Sequence, residues 1–144
     1  MRFLILPANI IAPFKMRHDP LNDAILSIKN AERIGKSDVT IRGQSKLLVD
    51  VLTVFQKTGY IGEFEVTENQ SGGSVKVGLM KQINDCGVVK PRSPVKHNEF
   101  FKWEKRFLPS RDFGVLVVST PKGVLSHNDA KKQGVGGRLI AYIY

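Results

Sequence analysis

The feature that most limits what this chain can become is the run FGVLVV at residues 113–118 and the twenty-six residues after it, STPKGVLSHNDAKKQGVGGRLIAYIY. The run is continuously apolar and largely β-branched, as a strand buried on both faces should be. The chain then turns through Ser119, Thr120, Pro121, Lys122 and Gly123. Pro121 presets a turn's φ and Gly123 accepts φ > 0. A short helix is predicted next, with Ser126 as its cap, Asp129 in capping-box spacing and Gly134 as its stop. Gly134, Gly136 and Gly137 surround one small residue, which predicts a second turn with φ > 0 where the backbone approaches a partner closely. Residues 138–144 then place Leu139, Ala141 and Ile143 on one strand face. Two such turns, carrying hydroxyls and lysine and braced by two strands, suit an anionic backbone better than a small polar metabolite.

The charge balance agrees. The chain has 22 basic and 13 acidic side chains, a formal charge of +9 over 144 residues. That excess points to a polyanion partner, with an anionic membrane as the second reading. Cys86 is the single cysteine, so there is no disulfide framework and no cysteine metal cluster. Residues 1–15, MRFLILPANIIAPFK, have an apolar core too short to span a bilayer, which takes about 20 residues. They read as an added tail or as the product of a start upstream of Met16.

Along the rest of the chain, Asp19 and Pro20 open a helix with an apolar stripe of Leu21, Ala24, Ile25 and Ile28, and Gly35 ends it. Lys29, Asn30 and Arg33 lie off that stripe, as a solvated face or as phosphate contacts. Residues 39–42 alternate as a strand with Thr40 and Arg42 outward. A second helix carries Leu48, Val51, Leu52 and Phe55 and ends at Gly59. Ser45 and Lys46 stand at its start, where free amides favour anions. Residues 61–67 and 74–80 read as a hairpin joined by a turn at 69–73, and Glu63, Glu65 and Glu68 make it the acidic locality, pointing away from a polyanion. Composition shifts near Asn84. A strand is expected at 88–90, Pro91 and Pro94 fence off Arg92, and a helix is expected at 98–108. In that helix Phe100, Trp103 and Phe107 share a face and read as core rather than as base-stacking groups.

Catalytic chemistry finds little support. Ser119, His127 and Asp129 lack a nucleophile elbow, and His127 and Asp129, two apart on a helix, do not face each other. His18, His97 and His127 are scattered without zinc spacing, so they read as satisfied or exposed. The glycine cluster fits neither a dinucleotide nor a P-loop pattern, because a strand follows it. No catalytic residue, metal or cofactor is implied. An enzyme acting on nucleic acid would need clustered carboxylates, and these are dispersed or gathered on the acidic hairpin.

Residues 119–137 resemble the C-terminal signature of the small-subunit ribosomal protein eight family, which runs Ser-Thr-Ser-Lys-Gly-Val, a short charged helix, then Gly-Val-Gly-Gly. Ser119, Thr120, Lys122, Gly123, Val124, Ala130, Gly134, Val135, Gly136 and Gly137 match, and Pro121 stands in place of the second serine. Further matches, of the eukaryotic type, are GYIGEFE at 59–65, CGV at 86–88, Pro91 with Arg92, and LPSR at 108–111. The resemblance runs from about Met16 to Tyr144. The resulting expectation is an α+β fold of two small subdomains: an extension at 1–15, an αβαββ unit at 16–83, and an rRNA-binding unit at 84–144 built on a small sheet with short helices. The resemblance implies a structural component of the cytoplasmic ribosome that binds central-domain small-subunit rRNA and supports assembly and translation. Its partners would be that rRNA and neighbouring small-subunit proteins, with no membrane and no small-molecule substrate. An RNA-processing enzyme or a non-ribosomal RNA binder is the alternative. The candidate rRNA contacts are Lys29, Asn30, Arg33, Arg42, Ser45, Lys46, Arg92, Ser119, Thr120, Lys122, Gly123, Gly136 and Gly137. Double-stranded RNA would be read by shape, phosphates and 2′-hydroxyls, which hydroxyls, lysines and approachable amides can address.

Overall fold

Apolar residues at helical spacing after Pro20 produce helix α1 (Pro20–Ile34), whose buried stripe is Leu21, Ala24, Ile25, Ile28 and Ala31. The computed structural model describes residues 20–43, 45–68, 73–110 and 113–144. The tail at 1–15, the Asp19 cap and most of the turn at 69–73 lie outside the described residues. Strand β1 (Asp38–Arg42) follows, then helix α2 (Lys46–Lys57). Ser45 caps α2, its Oγ accepting the Leu48 amide at 3.1 Å. Strands β2 (Ile61–Thr67) and β3 (Ser74–Leu79) form the expected hairpin, and the antiparallel sheet has the order β1-β3-β2.

The second unit contains β4 (Cys86–Val88), β5 (Pro94–Val95), α3 (Phe100–Phe107), β6 (Val115–Thr120), β7 (Gly123–Ser126), α4 (His127–Gln133) and β8 (Gly137–Ile143). Its sheet runs β4-β8-β6-β7, and β5 pairs with the beginning of β8. The fold is therefore α+β, an αβαββ unit followed by a small sheet with short helices.

The strand read as buried on both faces is so. Val115 and Val117 join a core with α1, α2 and the first sheet, while Leu116 and Val118 join a second core with Phe100, Leu108, Ala130 and Leu139. Helices α1 and α2 thus fill the space between the sheets, and α3 covers the outer side of the second one. The aromatic face of α3 is core as expected: Phe100 is fully buried, and Trp103 and Phe107 pack against the second cluster.

Four local expectations need correction. The buried strand starts at Val115 rather than 113, because Gly114 takes φ 96° and leaves Phe113 43% exposed. Residues 123–126, expected as turn and helix cap, pair with β6 as strand β7. Strand β4 lies at Cys86–Val88 instead of 88–90, since the Asn84 and Asp85 amides both bond the Tyr144 carbonyl and start the ladder early. Leu139 does not share a face with Ala141 and Ile143. The register shifts between Val117↔Ala141 and Val118↔Leu139, and the extra residue, Ile140, turns Leu139 into the other core.

Two polar clusters tie distant segments together. Lys29 Nζ lies 2.8 Å from Asp85, whose carboxylate also accepts the Cys86 amide and the Tyr144 hydroxyl. Burial alone would raise the Asp85 carboxyl, but the bond and charge of Lys29 outweigh it and hold the group below its usual range. Beside it, burial pushes the Cys86 thiol up to about 12, so it stays a neutral, unreactive core residue.

In the second core, His127 Nδ1 accepts the Leu116 amide at 3.0 Å while Nε2 faces Glu104 Oε1 at 2.8 Å. Lys131 Nζ bonds the same oxygen at 2.8 Å. The acceptor role of Nδ1 fixes the neutral tautomer with its proton on Nε2. Burial lowers the His127 pKa, and the opposing charge of Glu104 does not reverse it. A folded pKa below the unfolded value of 6.5 means the stabilisation is full above pH 6.5 and is lost as pH falls through the folded value. We expect the urea midpoint to drop on acidification below that point, and the drop to shrink in His127→Gln, as measured by chemical denaturation at a series of pH values.

Candidate nucleic-acid interface

Thr120 and Gly123 pair across the β6–β7 hairpin, so Pro121 and Lys122 are its exposed two-residue tip. Gly123 has φ 117°, a conformation that β-carbon-bearing residues rarely adopt. Thr120 Oγ1 donates to the Gly123 carbonyl at 2.7 Å and accepts the Lys122 amide at 3.1 Å. Its hydroxyl is therefore spent on shaping the turn, and Thr120 is only 8% exposed. Ser119, one residue earlier, is exposed and sits opposite Arg138 of β8. Arg138 also faces Pro94 and donates from Nη1 to the Arg92 carbonyl at 3.1 Å.

The helix preceding this edge is built as the sequence indicates. Ser126 Oγ accepts the Asp129 amide at 3.2 Å, and Gly134 closes α4 at φ 67°. Gly136 and Gly137, however, are not in the left-handed region. Their role is close packing. A Cβ on Gly137 would run into the Ser119 carbonyl oxygen and lie 3.1 Å from Thr120 Cα. One on Gly136 would strike the Val95 carbonyl oxygen and lie 3.0 Å from Lys96 Cα. The expected close backbone approach is thus to the chain's own strands, and it presses β5, β6 and β8 into one surface.

Seven sequence-chosen residues meet at that surface: Arg92, Ser119, Thr120, Lys122, Gly123, Gly136 and Gly137. The other six fall into two further groups. Lys29 is engaged by Asp85, with Arg33 beside it and Asn30 exposed on the same helix. Arg42 and Ser45 border a hollow that Pro20 and Gly43 also line, and Lys46 is exposed at the start of α2. Sequence reading missed Arg138, Lys96 and His97. The alternation along β8 would have marked Arg138 as outward; nothing local marks Lys96 and His97, which reach the edge only through Gly136.

A sequence model of the family described as Ribosomal protein S8 matches residues 19–144. The chain belongs to that family. A curated relative, the small ribosomal subunit protein uS8 of Picrophilus torridus, is 50% identical over 129 residues, spanning 90% of this chain and 100% of the relative. Membership makes the chain a structural ribosomal component rather than an enzyme. Among the described residues no group of three or more His, Cys, Asp or Glu side chains could hold a metal, and no helix is long and apolar enough to cross a membrane.

The packing of the glycines changes what their substitution would do. Gly136→Val and Gly137→Val should each cost about 3 kcal/mol of stability or more, because backbone, not a flexible side chain, blocks the added atoms. Thr120→Val should cost about 0.5–1.5 kcal/mol through its lost turn bonds. Urea unfolding without RNA checks all three; parent-like stability of Gly137→Val would contradict the packing account.

Proposed function

We propose that this ribosomal protein holds central-domain rRNA of the small subunit with the surface where β5, the β6–β7 hairpin and the start of β8 meet. The observation that carries the reading is one of charge. Arg92, Lys96, Lys122 and Arg138 stand on or beside the segments that pair there, and Glu99, the acidic side chain that follows Lys96, is held on the Lys96 amide. Exposed Ser119 adds a hydroxyl that can donate and accept. Such a surface matches the wide, shallow groove of an RNA duplex, which displays phosphates and 2′-hydroxyls, and has little use for base-edge readout. Residues 84–144 then form the rRNA-binding unit, residues 16–83 its support, and residues 1–15 an extension outside the main site. The protein works in the cytoplasmic ribosome beside neighbouring small-subunit proteins and contributes to assembly and translation without catalysis.

Sucrose-gradient fractionation should find the chain with small subunits. Confinement to low-mass fractions while intact subunits sediment elsewhere would refute the reading. Lys122→Ala and Arg138→Ala should each weaken binding to the rRNA fragment and reduce its salt slope by roughly 0.7–0.9. Titration at several salt concentrations measures this, and unchanged slopes in both variants would move the interface elsewhere.

A further inference from the structure

The outer face of α3 belongs to neither core nor the surface just described. Phe100 and Glu104 turn inward, while Phe101, Lys102, Lys105 and Arg106 are exposed, Phe101 at 52%. Glu104, the only carboxylate in the helix, is already held by His127 and Lys131. Three cations and a phenyl ring therefore face outward, while the capping Glu99 holds the Lys96 amide. The cations are organised by aromatic rings. Lys105 Nζ lies 4.7 Å from the Phe101 centroid, Lys102 Nζ lies 5.4 Å from that of Trp103, and Arg106 lies 5.5 Å from the Trp103 centroid and 5.8 Å from that of Phe107. A cavity of about 300 Å³ opens beside Phe101 and Lys105, lined also by Leu108, Pro109, Ser110 and Glu104, whose carboxylate His127 and Lys131 already hold. The helix also continues directly from the proposed rRNA surface: Lys96, whose Cα would touch a Cβ on Gly136, donates its amide to Glu99 at the start of α3.

We propose that this face is a second RNA contact, one for an unpaired strand, in which an unstacked base lies on Phe101 and the flanking phosphates meet Lys102, Lys105 and Arg106. The inference rests on the ribonucleoprotein reading above but uses different chemistry. A duplex presents phosphates and hydroxyls and gives an exposed ring nothing to stack on, whereas a splayed base offers a flat face of the same kind. An acidic peptide would satisfy the cations without using the ring. Lys102 and Arg106 are four residues apart, and Lys102 and Lys105 three apart, so the charges form a short row on one side of the helix. That row suits a backbone of regularly spaced phosphates.

The test uses the full chain and a single-stranded 12-nucleotide oligoadenylate carrying one 2-aminopurine. Because Phe101 is exposed, its substitution should leave the fold intact. Phe101→Ala should weaken oligonucleotide binding about tenfold and abolish 2-aminopurine quenching, while Phe101→Trp should restore both. The triple variant Lys102→Gln, Lys105→Gln, Arg106→Gln should lower the salt slope by about 2, and a control that neutralises Lys36, Lys57 and Lys76 should lower it much less. Parent-like affinity and quenching in Phe101→Ala would overturn the proposal, as would equal effects of the two triple variants. So would competition by polyglutamate that depends equally on Phe101, which would assign the face to an acidic protein. Failure here alone, with the chain still sedimenting with small subunits, would leave the main rRNA reading standing. Loss of sedimentation with Phe101-dependent oligoadenylate binding retained would do the reverse.

Discussion

Strand β8 is paired along both edges and buried on both faces, and the rest of the second unit depends on it. On one edge it meets β6; on the other it takes β4 near its end and β5 near its beginning. The bulge at Ile140 lets it serve two cores, sending Leu139 to one and Ala141 and Ile143 to the other. The beginning of the strand can be reached by β5 and β6 together only because Gly136 and Gly137 have no side chains. Close packing there costs nothing in φ strain, and it fixes the relative positions of Arg92, Ser119 and Arg138 through backbone rather than through long side chains. A surface set in this way has little left to order when it meets a partner.

How much of this could be read from sequence follows from the range of the forces involved. Local signals were reliable. The Ser126 cap, the Gly134 stop, the α1 and α2 stripes and the β2–β3 hairpin are each decided within one element or two consecutive ones, and each stands as read. Features decided by pairing partners were not legible. Leu139 sits on the face opposite to the one that alternation predicts because a bulge is set by β6, some twenty residues away. The need for glycine at 136 and 137 was visible, but its cause was not, since φ > 0 and close packing leave the same mark in a sequence. Glu104 and His127 meet across 23 positions, and no spacing rule anticipates a carboxylate in the core opposite a neutral imidazole.

These ion pairs also divide the charge. Lys29 and Lys131 are largely spent on Asp85 and Glu104 and hold the fold together. Asp38, Glu63 and Glu65 border a hollow on the open side of the first sheet with Lys76 among them, so the acidic locality is carried by a different sheet from the basic surface. Arg92, Lys96, Lys122 and Arg138 lie instead at the second unit's sheet, and Lys102, Lys105 and Arg106 on α3. A net charge of +9 alone would attract any polyanion, but its segregation gives the attraction a direction.

Pro121 bears on how such a surface is kept ready. The family signature has serine there, so this chain gives up one hydroxyl at the hairpin tip. A lost hydroxyl contact is worth about 0.5–1.5 kcal/mol if it is an ordinary hydrogen bond. Proline, in return, removes backbone freedom from the unfolded and unbound chain, worth about 0.4–1 kcal/mol where its φ already fits. The tip meets the conditions for that gain. Thr120 clamps it from within through the Gly123 carbonyl and the Lys122 amide, and neither bond needs a hydroxyl or an amide proton from residue 121. The two magnitudes overlap, so the exchange of a hydroxyl for a stiffer tip is close to neutral, and Lys122 is carried by a turn with less backbone freedom to lose.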